Sequence, residues 1–332
     1  MSEMNSIVGR LLAGTHTPVM PIMTHPGIEL TGRRVIDAVT DGQRHCDAVL
    51  ALHGRFPYSA ASTTIMDLSA EAEAFGAEVV FTDDEVPTVT GRLLQSAADV
   101  DALQIPSLDA ARIPQYLEAG RKAAAALDCP LFGGCIGPFS LACRLYDMTE
   151  LMMSMYIEPD MVHRLLDKCT EFIMAYVRAM KSAGQAGVVM AEPAAGLLSD
   201  SDCLAFSSEY VRRIVEEVQD DSFLVVLHNC GNSGQCTGAM VSSGAAALHF
   251  GNAIDMAGVL EQVPSNIAVM GNVDPVGVMK MGTPETVEEH VRRLLDTAAG
   301  HGNFILSTGC DVPPASPFEN IEAFFRAAGY NL

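Results

Sequence analysis

Two thiols and one imidazole, each at the end of an apolar run, are the side chains of this sequence best suited to chemistry. His228 and Cys230 close the run that begins at Phe223, and Cys310 closes the run that begins at Phe304. Thiolate is a soft ligand that suits zinc, and imidazole is its common partner. Residues two apart on a strand face the same side, so His228 and Cys230 can reach one ion. Three protein ligands leave one coordination position open, which is the arrangement of a zinc that does chemistry. Spacing alone fits two buried free cysteines beside a hydrogen-bonded histidine equally well.

Other apolar runs finish the same way. Glu192 stands at the end of Gly187–Pro193, His249 and Asn252 at the end of Ala246–Asn252, and Asn272 and Asp274 at the end of Ile267–Asp274. Asp311 follows Cys310. Between these runs lie segments of helical periodicity: Asp200–Gln219, Thr237–Ser243, Asp255–Val263, Thr283–Ala299 and Pro317–Ala328. Apolar strands alternating with helices make a parallel sheet, and this many units predict a closed (β/α)8 TIM barrel in a single domain over residues 1–332. Active sites of such barrels sit at the C-terminal strand ends, where the polar residues gather. Thr283 before Pro284 marks a helix start, and Ser316 with Glu319 reads as a capping box.

The first half is less regular. Pro18–Met23, Ala48–His53 and Leu131–Phe139 read as strands, and Asp67–Phe75 and Glu158–Ala183 as helices. The stretch Gly231–Gly238 is a Gly-rich loop that could cradle an anion but matches neither the P-loop nor the dinucleotide pattern and reads as a plain turn, and its Cys236 is a weak candidate ligand. Met148, Met152, Met153, Met155 and Met161 read as core filler at helical spacing, with a docking surface as the alternative.

The bulk numbers narrow the function classes. The chain has 332 residues, 49% of them hydrophobic, enough for one large core. Its net charge of −21 repels phosphate backbones and anionic headgroups, so neither nucleic acid nor membrane is an expected partner. The first seven residues carry no basic region leading into an apolar stretch, so no secretory signal is expected. Nine irregularly spaced cysteines predict reduced thiols in a cytoplasmic protein. Cys46, Cys129, Cys135, Cys143, Cys169 and Cys203 are expected to be small buried apolar groups.

Several segments together resemble the uroporphyrinogen decarboxylase superfamily. Gly271-Asn-Val-Asp-Pro275 resembles its Gly-Asn-Leu-Asp-Pro signature, and Ile136–Ala142 its Gly-Pro-Phe-Thr-Leu-Ala segment. Gly309-Cys-Asp with Pro317–Ile321 resembles its C-terminal block. The resemblance runs over most of the chain and implies the barrel fold. It separates two chemistries. Decarboxylases of this kind hold substrate carboxylates with N-terminal arginines, and the matching region Met20–Gly27 has none. Asp67 falls at their catalytic aspartate, Arg144 at their tyrosine and Cys310 at their histidine.

The other branch is the zinc-dependent corrinoid methyltransferases, whose His-x-Cys…Cys ligand pattern matches His228, Cys230 and Cys310. Ser69–Gly76 also resembles their Glu-Ala-x-x-x-Gly segment. This branch implies a bound zinc ion and a methyl-corrinoid donor. It implies a small-molecule acceptor such as coenzyme M, another thiol or a pterin. The chain lacks the Asp-x-His-x-x-Gly cobalt-binding segment, so the corrinoid is expected on a separate corrinoid protein or as free cofactor. Glu192 is expected as fourth ligand or acceptor-positioning group. His249, Asn252, Asn272 and Asp274 are expected as substrate contacts. A lyase acting through Asp67 and a non-catalytic corrinoid- or zinc-binding module are the competing readings.

Overall fold

The computed structural model describes residues 7–12 and 17–332, so most of the segment read for a signal lies outside the described residues. Nine strands are found among them, in chain order: β1 Ser62–Thr63, β2 Glu78–Val80, β3 Thr88–Thr90, β4 Leu131–Ile136, β5 Gly187–Ala191, β6 Leu224–Asn229, β7 Ala247–Phe250, β8 Ala268–Val273 and β9 Phe304–Thr308. Seven form one parallel sheet in the order β1-β4-β5-β6-β7-β8-β9. Each strand thus pairs with the next one laid down, across an intervening helix, and the fold is α/β. Strands β2 and β3 make a separate antiparallel ribbon, which the sequence reading missed.

The sheet is curled. Phe132, Val189, Val226, Ala247, Met270 and Ile305, one from each strand β4 to β9, share a single apolar cluster with Met20, Ile22 and Ala61. A flat sheet cannot bring its first and last strands into one cluster. A larger cluster packs the outer side chains against the helices, and β4 to β7 and β9 are buried throughout. This two-sided burial is why the strands read as continuous apolar runs rather than alternating ones. The segment 18–20 lies between the two edges. Val19 bridges Leu306 in parallel, and its carbonyl accepts from the Ala60 amide at 2.7 Å.

Ala48–His53 is not a strand but lies within the helix Gly42–Arg55. Asp41 caps it, accepting from the Gln43 and Arg44 amides, and its buried His45, Val49 and Leu52 recur at helical spacing. An apolar run this short cannot by itself be assigned a period. The strand expected over Leu131–Phe139 stops at Ile136, and Pro138 opens a helix running to Tyr146. The helix expected from Asp67 begins at Ala70. The capping box also fails. The last helix begins at Phe318, and the Ser316 hydroxyl donates to the Pro313 carbonyl instead. Among the described residues, no helix is long and apolar enough to cross a membrane.

Candidate metal centre

His228 is the fifth residue of β6, and Cys230 follows the strand directly. Cys310 stands two residues beyond β9. Curling of the sheet brings these ends together, so that one ligand atom from each of His228, Cys230 and Cys310 lies within 4.8 Å of the others. The backbone closes tightly around them. A Cβ at Gly251 would stand 2.7 Å from the Cys230 carbonyl oxygen, and one at Gly309 2.6 Å from the Asn252 amide nitrogen. Only glycine permits such an approach of backbone to backbone.

Hydrogen bonds behind His228 set its polarity. The Ser307 hydroxyl donates its single proton to the Met20 carbonyl at 2.7 Å. Towards His249 Nε2, 2.9 Å away, it is therefore an acceptor, and that nitrogen carries the hydrogen. His249 is fully buried, and burial with the nearby His228 holds its pKa well below the ordinary histidine value. Being neutral, it presents a lone pair at Nδ1 to His228 Nδ1, 2.7 Å away. His228 must then donate from Nδ1 and keep its lone pair on Nε2. That Nε2 is buried and has no hydrogen-bond partner among the described residues. A partnerless imidazole lone pair beside two thiols has the donor chemistry for zinc, with the tautomer fixed by the groups behind it.

The two thiols share a hydrogen bond. A hydrogen bond from Cys310 draws the Cys230 pKa down to about 7. Cys310 is pushed up, because its proton is held by the Cys230 sulfur and because it is buried. Near neutrality the pair holds between one and two protons that a metal must displace.

The other residues named from sequence fall in several places. Glu192 is buried behind the mouth and is not among the atoms gathered with the thiols. Its two oxygens accept from the Phe139 and Ser140 amides at 2.9 and 2.8 Å, which caps the helix Pro138–Tyr146. Burial pushes its carboxyl to about 7, against the pull of those donors and the Ser140 and Ser207 hydroxyls. His249 stands behind His228 with both nitrogens engaged. Asn272 donates to the Gly251 and Ile254 carbonyls, tying β8 to the loop after β7. Asp274 caps the turn Pro275–Lys280. Asn252 is exposed beside Gly309. Cys236 is buried and turned to the Ala195 and Leu198 carbonyls, away from the cluster. Of the methionine stretch, Met155 and Met161 are core, whereas Met148 and Met153 are exposed.

Asp67 is buried and saturated. Its Oδ1 accepts from the Ser69 amide and hydroxyl, and its Oδ2 from Arg112 and the Tyr116 hydroxyl. Arg112 and His25 escaped the sequence reading, and Glu71 entered it only within the Ser69–Gly76 segment. Arg112 joins Asp67 to Glu73 and Ser69, and lies in no strand-end pattern. His25 pairs with Asp311 at 3.3 Å, from a segment whose bare sequence gave no signal. Glu71 is fully buried, and burial pushes its carboxyl to about 8 despite the Ile136 amide it accepts from. One cysteine differs from expectation. Cys129 is half-buried rather than core, and sits 3.6 Å from His53 Nδ1, whose Nε2 meets the exposed Asp128.

The model of the uroporphyrinogen decarboxylase (URO-D) family matches residues 13–329. The chain belongs to this family. Its relatives include enzymes of two kinds. It is 30% identical to the methylcobamide:CoM methyltransferase MtbA of Methanosarcina mazei, over 79% of this chain and 77% of that protein. It is 28% identical to the uroporphyrinogen decarboxylase of Coxiella burnetii, over 85% and 80%. In three dimensions it is similar to a methyltransferase from Methanosarcina mazei, with a TM-score of 0.88 and 25% identity over 97% of this chain and 98% of that one. A B12-independent methionine synthase from Shewanella shares the fold alone, with a TM-score of 0.60 and 14% identity over 96% and 97%.

Three outcomes follow from this geometry. His249→Ala removes the group that fixes the His228 tautomer, and should weaken zinc binding roughly 10- to 100-fold in a chelator-competition titration. Zinc added to the metal-free protein at pH 7 in weak buffer should release roughly between one and two protons, falling towards one as pH rises past the Cys230 value. Glu71→Gln should change the pH dependence of stability. The folded-state pKa of Glu71, about 8, lies above the ordinary 4.5, so the native protein is most stable below the lower value and loses stability up to the higher one. Urea unfolding of the glutamine variant should lack that loss, with a difference on the order of a few kcal/mol across the window.

Proposed function

We propose that the chain is a zinc-dependent methyltransferase that moves a methyl group from a methyl-corrinoid to a small thiol. The observation that carries this is the buried, partnerless His228 Nε2 beside Cys230 and Cys310 at the C-terminal strand ends. The relatives named as methylcobamide:CoM methyltransferases support it. His228, Cys230 and Cys310 would hold the ion, and the segment 18–20 would complete an eight-stranded barrel around the site. When bound, zinc supplies a Lewis acid that lowers the pKa of an acceptor thiol.

The protein's own groups do the rest. His249, Ser307 and the Met20 carbonyl keep the His228 lone pair on Nε2. Glu192 anchors the start of the helix Pro138–Tyr146 and so fixes one wall of the mouth. In this reading it positions the acceptor through that wall rather than ligating the metal. Asn272 and Asp274 hold the loops that frame the opening, and exposed Asn252 is placed to meet an arriving substrate. Methyl transfer to a thiolate asks for little proton movement, so orientation and shielding are the protein's main contributions. The donor would arrive on a separate corrinoid protein. A lyase acting through Asp67 is less well supported, because its oxygens are taken by Arg112, Tyr116 and Ser69.

Protein purified after expression with zinc should carry about one metal per chain and demethylate methylcobalamin in the presence of 2-mercaptoethanesulfonate. Cys310→Ala should lose most of the metal and at least roughly 100-fold in turnover. Undiminished turnover in that variant, or porphyrinogen decarboxylation that survives full chelation, would sink the reading.

A further inference from the structure

A thiol and an imidazole also meet at the opposite end of the sheet. One ligand atom from each of His53, Asp128 and Cys129 lies within 4.8 Å of the others, the same closeness as at the strand-end metal centre. His53 is in the last turn of the helix Gly42–Arg55. Asp128 and Cys129 belong to the short link between the helix Ile113–Ala126 and β4. Ser62, the first residue of β1, closes the corner, its amide donating to the Pro130 carbonyl at 2.9 Å. The strands are parallel, so this corner lies at their N-terminal ends, and His228 and Cys310 lie at the other.

Hydrogen bonds set the polarity of His53. Asp128 Oδ1 stands 2.8 Å from His53 Nε2. A carboxylate only accepts, so Nε2 carries the hydrogen. Nδ1 then holds the lone pair and turns it to the Cys129 sulfur, 3.6 Å away. A carboxylate behind an imidazole is the usual support of a zinc-binding histidine. The sulfur-to-nitrogen distance fits as well. Zinc bonds of about 2.3 Å to sulfur and about 2.0 Å to nitrogen, at a tetrahedral angle, set the two ligands roughly 3.6 Å apart. The Ser62 hydroxyl is 3.4 Å from the sulfur, within reach to donate to a thiolate. Thiolate and carboxylate together match the charge of a dication. The His53 side chain is 15% exposed and that of Asp128 89%, so a hydrated ion can enter from solvent.

We infer that His53 and Cys129 form a second metal site, for a borderline-soft divalent cation such as zinc. His53 Nδ1 and the Cys129 sulfur are the ligands, and Asp128 holds the imidazole and supplies charge. Water fills the remaining positions. Binding exchanges the thiol hydrogen for the metal and releases that proton to solvent. One thiolate in place of two, and open access to water, make this site weaker than the one at the strand ends. It fills second, and dialysed protein keeps only the tighter ion. The ion ties the end of one helix to the link that leads into β4.

The test is a titration of zinc into metal-free protein against a chromophoric chelator. The native protein should fill a tight site and then a weaker one. Cys129→Ala and His53→Ala should each lose the weaker site and keep the tight one, and Cys310→Ala should do the reverse. Asp128→Ala should weaken the second site roughly 10- to 100-fold. Iodoacetamide labelling read by mass spectrometry assigns the residue: excess zinc should protect Cys129 in the native protein and lose that protection in His53→Ala. A single equivalent of zinc even in large excess overturns the inference. So does a second equivalent of unaltered affinity in Cys129→Ala with the circular dichroism unchanged, or alkylation of Cys129 at one rate with and without zinc.

Discussion

The inward side chains of the parallel strands meet in one apolar cluster, and everything at the candidate site depends on that meeting. Phe132, Val189, Val226, Met270 and Ile305 can share a core with Met20 only if the sheet curls. Once it curls, β6 and β9 end on the same rim although 80 residues separate Cys230 from Cys310. Burial of apolar surface thus does positional work. Its non-directional gain sets the curvature, and the curvature brings Cys310 to His228 and Cys230.

Polar groups refine what burial places roughly. The line from the Met20 carbonyl through Ser307 and His249 to His228 joins four elements and settles which imidazole nitrogen is free. Ser307 and Met20 come from opposite ends of the chain, so the line also ties β9 to the segment 18–20. Glu192 works similarly on the other side, where one carboxylate satisfies two amides at the start of a helix. In a low-dielectric interior such bonds are costly to leave unmade. Their geometry therefore constrains the mouth more firmly than packing alone.

The carboxylates around Asp67 follow a different logic. Asp67 and Arg112 are buried and paired, and Glu73 and Tyr116 complete the cluster. Removing one partner from such a pair leaves an uncompensated charge. Glu71, close by in sequence, has one oxygen without a partner among the described residues, and burial favours its neutral form. Asp67 is bonded directly to the Arg112 guanidinium, whereas Glu71 is bonded to the Ile136 amide and burial outweighs what favours its charge.

The sequence by itself determined the alternation of elements, the parallel sheet and the pairing of His228 with Cys230, because these depend on local periodicity and on residues two apart. The Thr283 helix start was legible for the same reason, since it is local chemistry. What only the tertiary structure decided was whatever depends on distant neighbours. Ala48–His53 reads as a strand or a helix until Asp41 caps it and His45, Val49 and Leu52 find a core to face. His249 read as a substrate contact, and only the register that pairs it with His228 shows the two imidazoles in contact. Glu192 read as a fourth ligand or an acceptor-positioning group, and only the fold shows that both its oxygens accept from amides at the start of the helix after β4. That the Arg144 side chain has no partner among the described residues was not legible either, because that is a property of the space around a residue rather than of the chain on either side of it.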